Sequence, residues 1–307
     1  MAHYELRPVY TGEDANVDIV FIHGLRGHIT KTWTKNGVLW PQDLLPKSIP
    51  DCRVLLYGYD SSVVSQNPAR MARTEIESDA ADLYARLAAE RDASGRAKPI
   101  IIVAHSLGGL VAAQAVVSGA AGVDGDASQS VFDQVRGMVF LGTPFRGSTV
   151  ARPAEAIRNV LSWCGVGAQE RTLKLLGVDS DKVRSLNEAF SKALRQRVHA
   201  KNPIQAVFFH ETLPTKGVLV VNRVSALMPD AGECLPIQAD HTDICKFVSE
   251  KDEGYEVVLS RIKAIIDLMD QAVEDGRETH TYFNYGKAAN LIQGRGTQHI
   301  DNQNVTL

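Results

Sequence analysis

Residues 99–116, PIIIVAHSLGGLVAAQAV, run from branched apolar residues into a turn of small ones and on into a breaker-free apolar stretch. A continuous branched run without alternation marks a strand covered on both faces, as in a parallel sheet, and the stretch after the turn has helical character. Ser106 stands at the junction, with Ala104 two residues before it and Gly108 and Gly109 after it. Small residues at such a turn let strand and helix approach closely, which is the physical content of the nucleophile elbow G-x-S-x-G, here with Ala104 in place of the first Gly. The plain alternative is a serine that merely caps a helix.

Further apolar runs bounded by turn residues lie at 17–24 (VDIVFIHG), 52–60 (CRVLLYGYD), 135–144 (VRGMVFLGTP), 204–212 (IQAVFFHET) and 217–226 (GVLVVNRVSA), each a candidate strand. Helical patterns intervene. Residues 77–95 carry Ala80, Leu83 and Leu87 on one face, and 254–270 place Val258, Ile262, Ile265, Ile266 and Met269 on one stripe. Strands alternating with helices predict an α/β fold with a mostly parallel, doubly wound sheet. The long segment 145–203 interrupts the rhythm with helical spacing in 154–165 and in Val183, Leu186, Phe190 and Leu194, either a lid or extra helices packed on the core. One domain over 1–275 is expected, and 276–307, rich in Asn, Gln, Gly and Thr, reads as a flexible appendage.

A serine hydroxyl needs a base to take its proton as it attacks. His241, after the last apolar run and before the closing helix, stands where the base belongs in the order serine, acid, histidine; His23, His105 and His210 are less suitably placed. The acid that orients the imidazole is best read as Glu211, at the end of the 204–212 run, with Asp230 and Asp60 as rivals and Asp240 a weaker one. Two backbone N–H groups must meet the oxyanion: that of Leu107, next after the serine, and that of Leu25 in the turn HGLRG, which Gly24 makes possible.

The net charge of −3 gives no reason to expect nucleic acid as a partner, and 44% apolar content indicates a folded chain. The opening MAHYELRPVYTGEDANVD lacks a secretory pattern, and no window reaches the apolar length of a membrane span, so a soluble, cytoplasmic protein is expected. Cys52, Cys164, Cys234 and Cys245 lack metal-type spacing and read as isolated reduced thiols; neither metal nor cofactor is called for.

Over about residues 5–270 the chain resembles the SesB-like lipase/esterase group of fungi within the α/β-hydrolases, through FIHGLRGHITKTWT, WPQDLLPKSIP, RVLLYGYDS, IIIVAHSLGGLVAAQAV, FLGTPFRGS and DHTDICKF. The resemblance implies hydrolysis of a carboxylic ester, such as a lipid ester, with Ser106, His241 and Glu211 carried over. It also implies a place beside a NOD-like receptor in programmed cell death or a non-self response. The ending is similar to amyloid signalling motifs of the RHIM and fungal PP types, centred on Asn290, Leu291, Ile292, Gln293 and Gly294, so that 280–307 would template homotypically or on such a receptor. An inert tail on a housekeeping esterase or acyltransferase, and a scaffold that only oligomerises, are the alternatives. Membrane association in the active state, through an apolar lid around Trp163, is a further expectation.

Overall fold

The computed structural model describes residues 4–61, 76–94, 98–122, 126–145, 154–165, 180–228 and 231–274. Nine strands are found among them: β1 (Glu5–Thr11), β2 (Val17–Ile22), β3 (Thr34–Lys35), β4 (Val38–Leu39), β5 (Cys52–Gly58), β6 (Ile100–His105), β7 (Val135–Leu141), β8 (Gln205–Glu211) and β9 (Gly232–Ile237). Seven form one sheet in the order β1-β5-β2-β6-β7-β8-β9, while β3 and β4 pair by themselves. Only β1 runs antiparallel; every other pairing in the large sheet is parallel.

The helices are α1 (Trp40–Asp43), α2 (Leu45–Ser48), α3 (Ile76–Ser94), α4 (Gly108–Ala121), α5 (Asp126–Gln134), α6 (Ala154–Trp163), α7 (Ser180–His199), α8 (Arg223–Ala226) and α9 (Glu253–Glu274). Because side chains alternate across a strand, Val20, Ile22, Ile100, Ile102 and Ala104 enter one core cluster with α3, α4, α5 and α7. Ile19, Phe21, Ile101 and Val103 enter the other, with α1, α2 and α9. The central strands β2, β5 and β6 are buried at every position, which is why their sequences read as mostly apolar runs, broken in β2 and β5 by Asp18 and Arg53, which pair with each other at 2.8 Å. The expected doubly wound α/β sheet is therefore observed.

Both edges depart from the sequence reading. Strand β1 has no continuous apolar run, since its one neighbour leaves Arg7 and Pro8 exposed. The run 217–226 is not a strand: it carries a turn and the single helical turn α8, capped by the Asn222 side chain accepting from the Ser225 N–H at 3.0 Å. The free edge of β8 pairs instead with β9, whose Glu233, Cys234 and Pro236 disguise it as loop. Within 145–203, α7 buries Val183, Leu186, Phe190 and Leu194, so this helix packs on the core. The expectation of a flexible tail over 276–307 lies outside the described residues.

Asp79 of α3, almost wholly buried, accepts from the Tyr4 hydroxyl at 2.9 Å, and the Tyr57 hydroxyl bonds both the Asp79 carbonyl (3.0 Å) and Asp82 (2.9 Å). Burial, reinforced by Asp82 and Asp60 and opposed by the Tyr4 hydrogen bond, pushes the Asp79 carboxyl up to about 7. A carboxyl whose pKa is raised on folding binds its proton more tightly in the folded chain, so its effect on stability worsens as pH rises from its ordinary value of 3.8 toward 7. Asp79→Asn is therefore expected to melt several degrees above wild type at pH 8 and level with it at pH 4. Equal differences at both pH values in thermal unfolding would remove this explanation.

Candidate active site

The β6–α4 turn holds Ser106 at φ +53°, in the left-handed region that a side chain adopts only at a cost of about 1–2 kcal/mol. Its N–H donates to the Leu141 carbonyl at 2.9 Å and its carbonyl accepts from the Gly109 N–H at 3.0 Å, which fixes the turn. Close approach decides the neighbouring residues. A Cβ at Gly108 would stand 2.2 Å from the His23 carbonyl oxygen, and one at Gly24 would stand 2.7 Å from the Ser106 Cβ. Gly109 faces Thr143 just as tightly. Ala104, by contrast, places its methyl within the core cluster opposite Ile22 and Phe140, so the small residue before the serine need not be glycine.

Strand β8 ends at Glu211, and the loop after β9 carries His241. The His241 Nε2 lies 2.9 Å from the Ser106 Oγ, and its Nδ1 lies 2.9 Å from the Glu211 Oε2. A carboxylate can only accept, so in the neutral ring Nδ1 holds the proton and Nε2 is bare toward the serine hydroxyl. All three side chains are almost wholly buried.

Four contacts outside the triad hold it. The second oxygen of Glu211 accepts from the Val221 N–H at 2.6 Å, and the His241 N–H donates to the Thr215 Oγ1 at 3.0 Å. The His105 Nε2 donates to the His241 carbonyl at 3.0 Å; burial, aided by His241, keeps that imidazole well below its usual pKa and neutral. The Trp163 ring meets the His241 ring edge-on at 5.1 Å, so the end of α6 stands over the histidine. The supporting roles of these four residues were not legible in the sequence. At Gly142, φ +59°, an added Cβ would stand 3.2 Å from the His241 Cε1 and Nδ1, so a side chain there would crowd the imidazole.

Leu107 heads α4 beside the serine, and Leu25 lies in the turn after β2. That turn is stapled: the Arg26 N–H donates to Ser61 at 2.9 Å, the Gly27 N–H to Gly24 at 2.9 Å, and the Tyr59 hydroxyl to the His23 carbonyl at 2.9 Å. The Arg26 guanidinium donates to the Cys164 carbonyl, tying the turn to the end of α6. His23 stacks on Tyr59 with ring centroids 4.6 Å apart, and burial lowers its pKa to about 4, so it is a neutral support.

The rival acids stand elsewhere. The Asp240 carboxylate accepts from the Thr242 and Asp243 N–H groups, and Asp60 lies close enough to Tyr4 and Asp79 to raise the pKa of both. Asp230 and residues 290–294 lie outside the described residues. The four cysteines are free thiols, each with its pKa raised by burial, to about 11 at Cys234 and about 12 at Cys52, Cys164 and Cys245. Among the described residues no helix is long and apolar enough to cross a membrane.

The family model described as "Alpha/beta hydrolase family" matches residues 19–281. "Protein SERAC1" of Danio rerio is 28% identical over 261 residues, 77% of this chain and 37% of that protein. Its human counterpart is 28% identical over 267 residues, 79% and 38% of the two chains. The chain thus spans less than two-fifths of the length of these relatives. Among solved structures, the propeptide form of Bacillus licheniformis lipase BlEst2 aligns with a TM-score of 0.48 and 19% identity, over 80% of this chain and 50% of that one.

Proposed function

The chain belongs to the alpha/beta hydrolase family, and from that premise we propose that it is a serine hydrolase cleaving carboxylic esters. The observation that carries this reading is the buried relay from Ser106 through His241 to Glu211, with two contacts of 2.9 Å. In the proposed reaction the Ser106 Oγ attacks the ester carbonyl as its proton passes to the His241 Nε2. Glu211 stabilises the imidazolium through Nδ1, and the N–H groups of Leu25 and Leu107 receive the oxyanion. Collapse expels the alcohol, which takes the proton from Nε2, and leaves an acyl-serine. Water, deprotonated by the same imidazole, then releases the acid and restores the hydroxyl.

The test is a fluorophosphonate probe followed by peptide mass spectrometry, alongside turnover of p-nitrophenyl esters of increasing chain length. A single adduct on Ser106 with measurable ester turnover is expected; an adduct elsewhere, or none, defeats the reading. The finer role, a cell-death effector that assembles through 280–307, has its support in the sequence around 290–294 alone. Repeating the labelling on a chain ending at residue 275, with and without fibrils of a 280–307 peptide, separates it from a housekeeping esterase. Fibrils that raise labelling only when the tail is present favour the effector.

A further inference from the structure

The described residues include five exposed large aliphatic side chains: Val198, Leu213, Val218, Leu219 and Val224, exposed by 39, 43, 50, 39 and 51%. Four of the five fall between β8 and β9, within residues 213–224. That concentration is not a loose core. Thr215, Val220, Val221 and Ala226 of the same segment are buried, and Thr215 and Val218 exchange two backbone hydrogen bonds of 2.9 and 3.1 Å. Between them Lys216 and Gly217 take φ of +49° and +83°, the geometry of a tight hairpin turn. Val218 is thus held outward in the hairpin, Leu213 and Leu219 flank it and Val224 stands on the helical turn α8, all in ordered backbone where water contact is unfavourable unless something covers them.

Charge narrows what could cover them. Residues 212–226 contain Lys216 and Arg223, both exposed, and no acidic residue, in a chain whose net charge is −3. Area narrows it further: four half-exposed aliphatic side chains fall well short of the about 800 Å² per partner that a stable protein interface buries. An anionic lipid surface asks for less, because a few inserted aliphatic groups and two cations act together there.

We propose that residues 213–224 are a docking surface for an anionic lipid bilayer, with Leu213, Val218, Leu219 and Val224 entering the interface and Lys216 and Arg223 facing the headgroups. The choice of a lipid over a protein partner rests on the ester-hydrolase reading. Position agrees with it, since this segment supplies the Val221 N–H to Glu211 and the Thr215 hydroxyl to the His241 N–H. Through these buried residues the segment adjoins the acid and the histidine of the proposed relay.

The experiment is co-sedimentation of the full chain with vesicles of equal parts phosphatidylcholine and phosphatidylglycerol, and with vesicles of phosphatidylcholine alone. Wild type is expected to favour the anionic vesicles. Val218→Ser with Leu219→Ser weakens binding by about tenfold. Lys216→Ser with Arg223→Ser removes the preference for anionic vesicles, as does added salt. Val198→Ser, outside the segment, changes nothing. Sedimentation needs no turnover, so Ser106→Ala binds as wild type does, and a failure of the ester reading shows separately, as absent labelling of Ser106. The proposal is overturned by wild type that sediments with neither vesicle, by undiminished binding of either double variant, or by segment substitutions that alter self-association instead of vesicle binding.

Discussion

Ser106→Ala is expected to lower kcat for ester hydrolysis by about 10⁶-fold, leaving only what oxyanion stabilisation and binding supply over water. The size of the loss follows from the relay: without the Oγ, the bare His241 Nε2 has no proton to take and no covalent intermediate can form. KM should move far less, because the hydroxyl contributes little to ground-state binding. The fold should survive. Alanine removes one buried oxygen from a turn held by the backbone bonds to Leu141 and Gly109, and it meets the same backbone cost at φ +53° that serine does. Single-turnover kinetics on a p-nitrophenyl ester, with thermal unfolding as the folding control, reads both parts. Turnover within a hundredfold of wild type in a folded Ser106→Ala protein would take the nucleophile's role away from this residue.

The sequence showed most where burial is two-sided. Strands β2, β5, β6, β7 and β8 are largely covered on both faces, so apolar residues dominate there and continuous apolar runs expose them, while the charges that β2 and β5 do bury, Asp18 and Arg53, pair with each other at 2.8 Å. The edges obey different demands. Strand β1 mixes exposed and half-buried positions, and β9 admits Glu233 and Pro236 because its outer side has no ladder partner. The run 217–226 looked like a strand because its four valines and one leucine serve two unrelated ends, Val220 and Val221 as anchors in the core and Val218, Leu219 and Val224 outward. Composition cannot separate those uses.

The same division holds at the site. Ser106, Glu211 and His241 could be named as candidates because each stands at the end of a strand or in the loop after one, in a fixed chain order. The supporting roles of Val221, Thr215, His105 and Trp163 were not legible. The first two act through hydrogen bonds set by how the β8–β9 connection folds back, His105 through its reach to the His241 carbonyl, and Trp163 through where α6 ends. Tertiary placement has no local signature of that kind. Once the connection is placed, it joins two observations that the sequence kept apart, an acid held from both sides and a tip of exposed aliphatic side chains.

That double hold on the acid makes Glu211→Gln a sharper test than truncation. The carboxylate accepts at both oxygens, from Val221 at one and from His241 at the other, whereas a glutamine amide has a single acceptor oxygen. With the oxygen toward Val221, the amide NH₂ faces the His241 Nδ1, which must then accept, and the ring proton moves to Nε2, where it blocks the serine hydroxyl. With the oxygen toward His241, the NH₂ and the Val221 N–H are two buried donors face to face, at a cost of about 1–3 kcal/mol. The first arrangement leaves the fold intact and places the wrong tautomer at the nucleophile, which lowers kcat by about 10⁴-fold. The second disturbs the 213–224 connection and shows as a lower melting temperature. The first outcome requires Glu211 to be the residue that sets the tautomer; the second reports its hold on the Val221 N–H. A Glu211→Gln protein that melts with wild type and retains kcat within tenfold would pass the acid's role to another carboxylate.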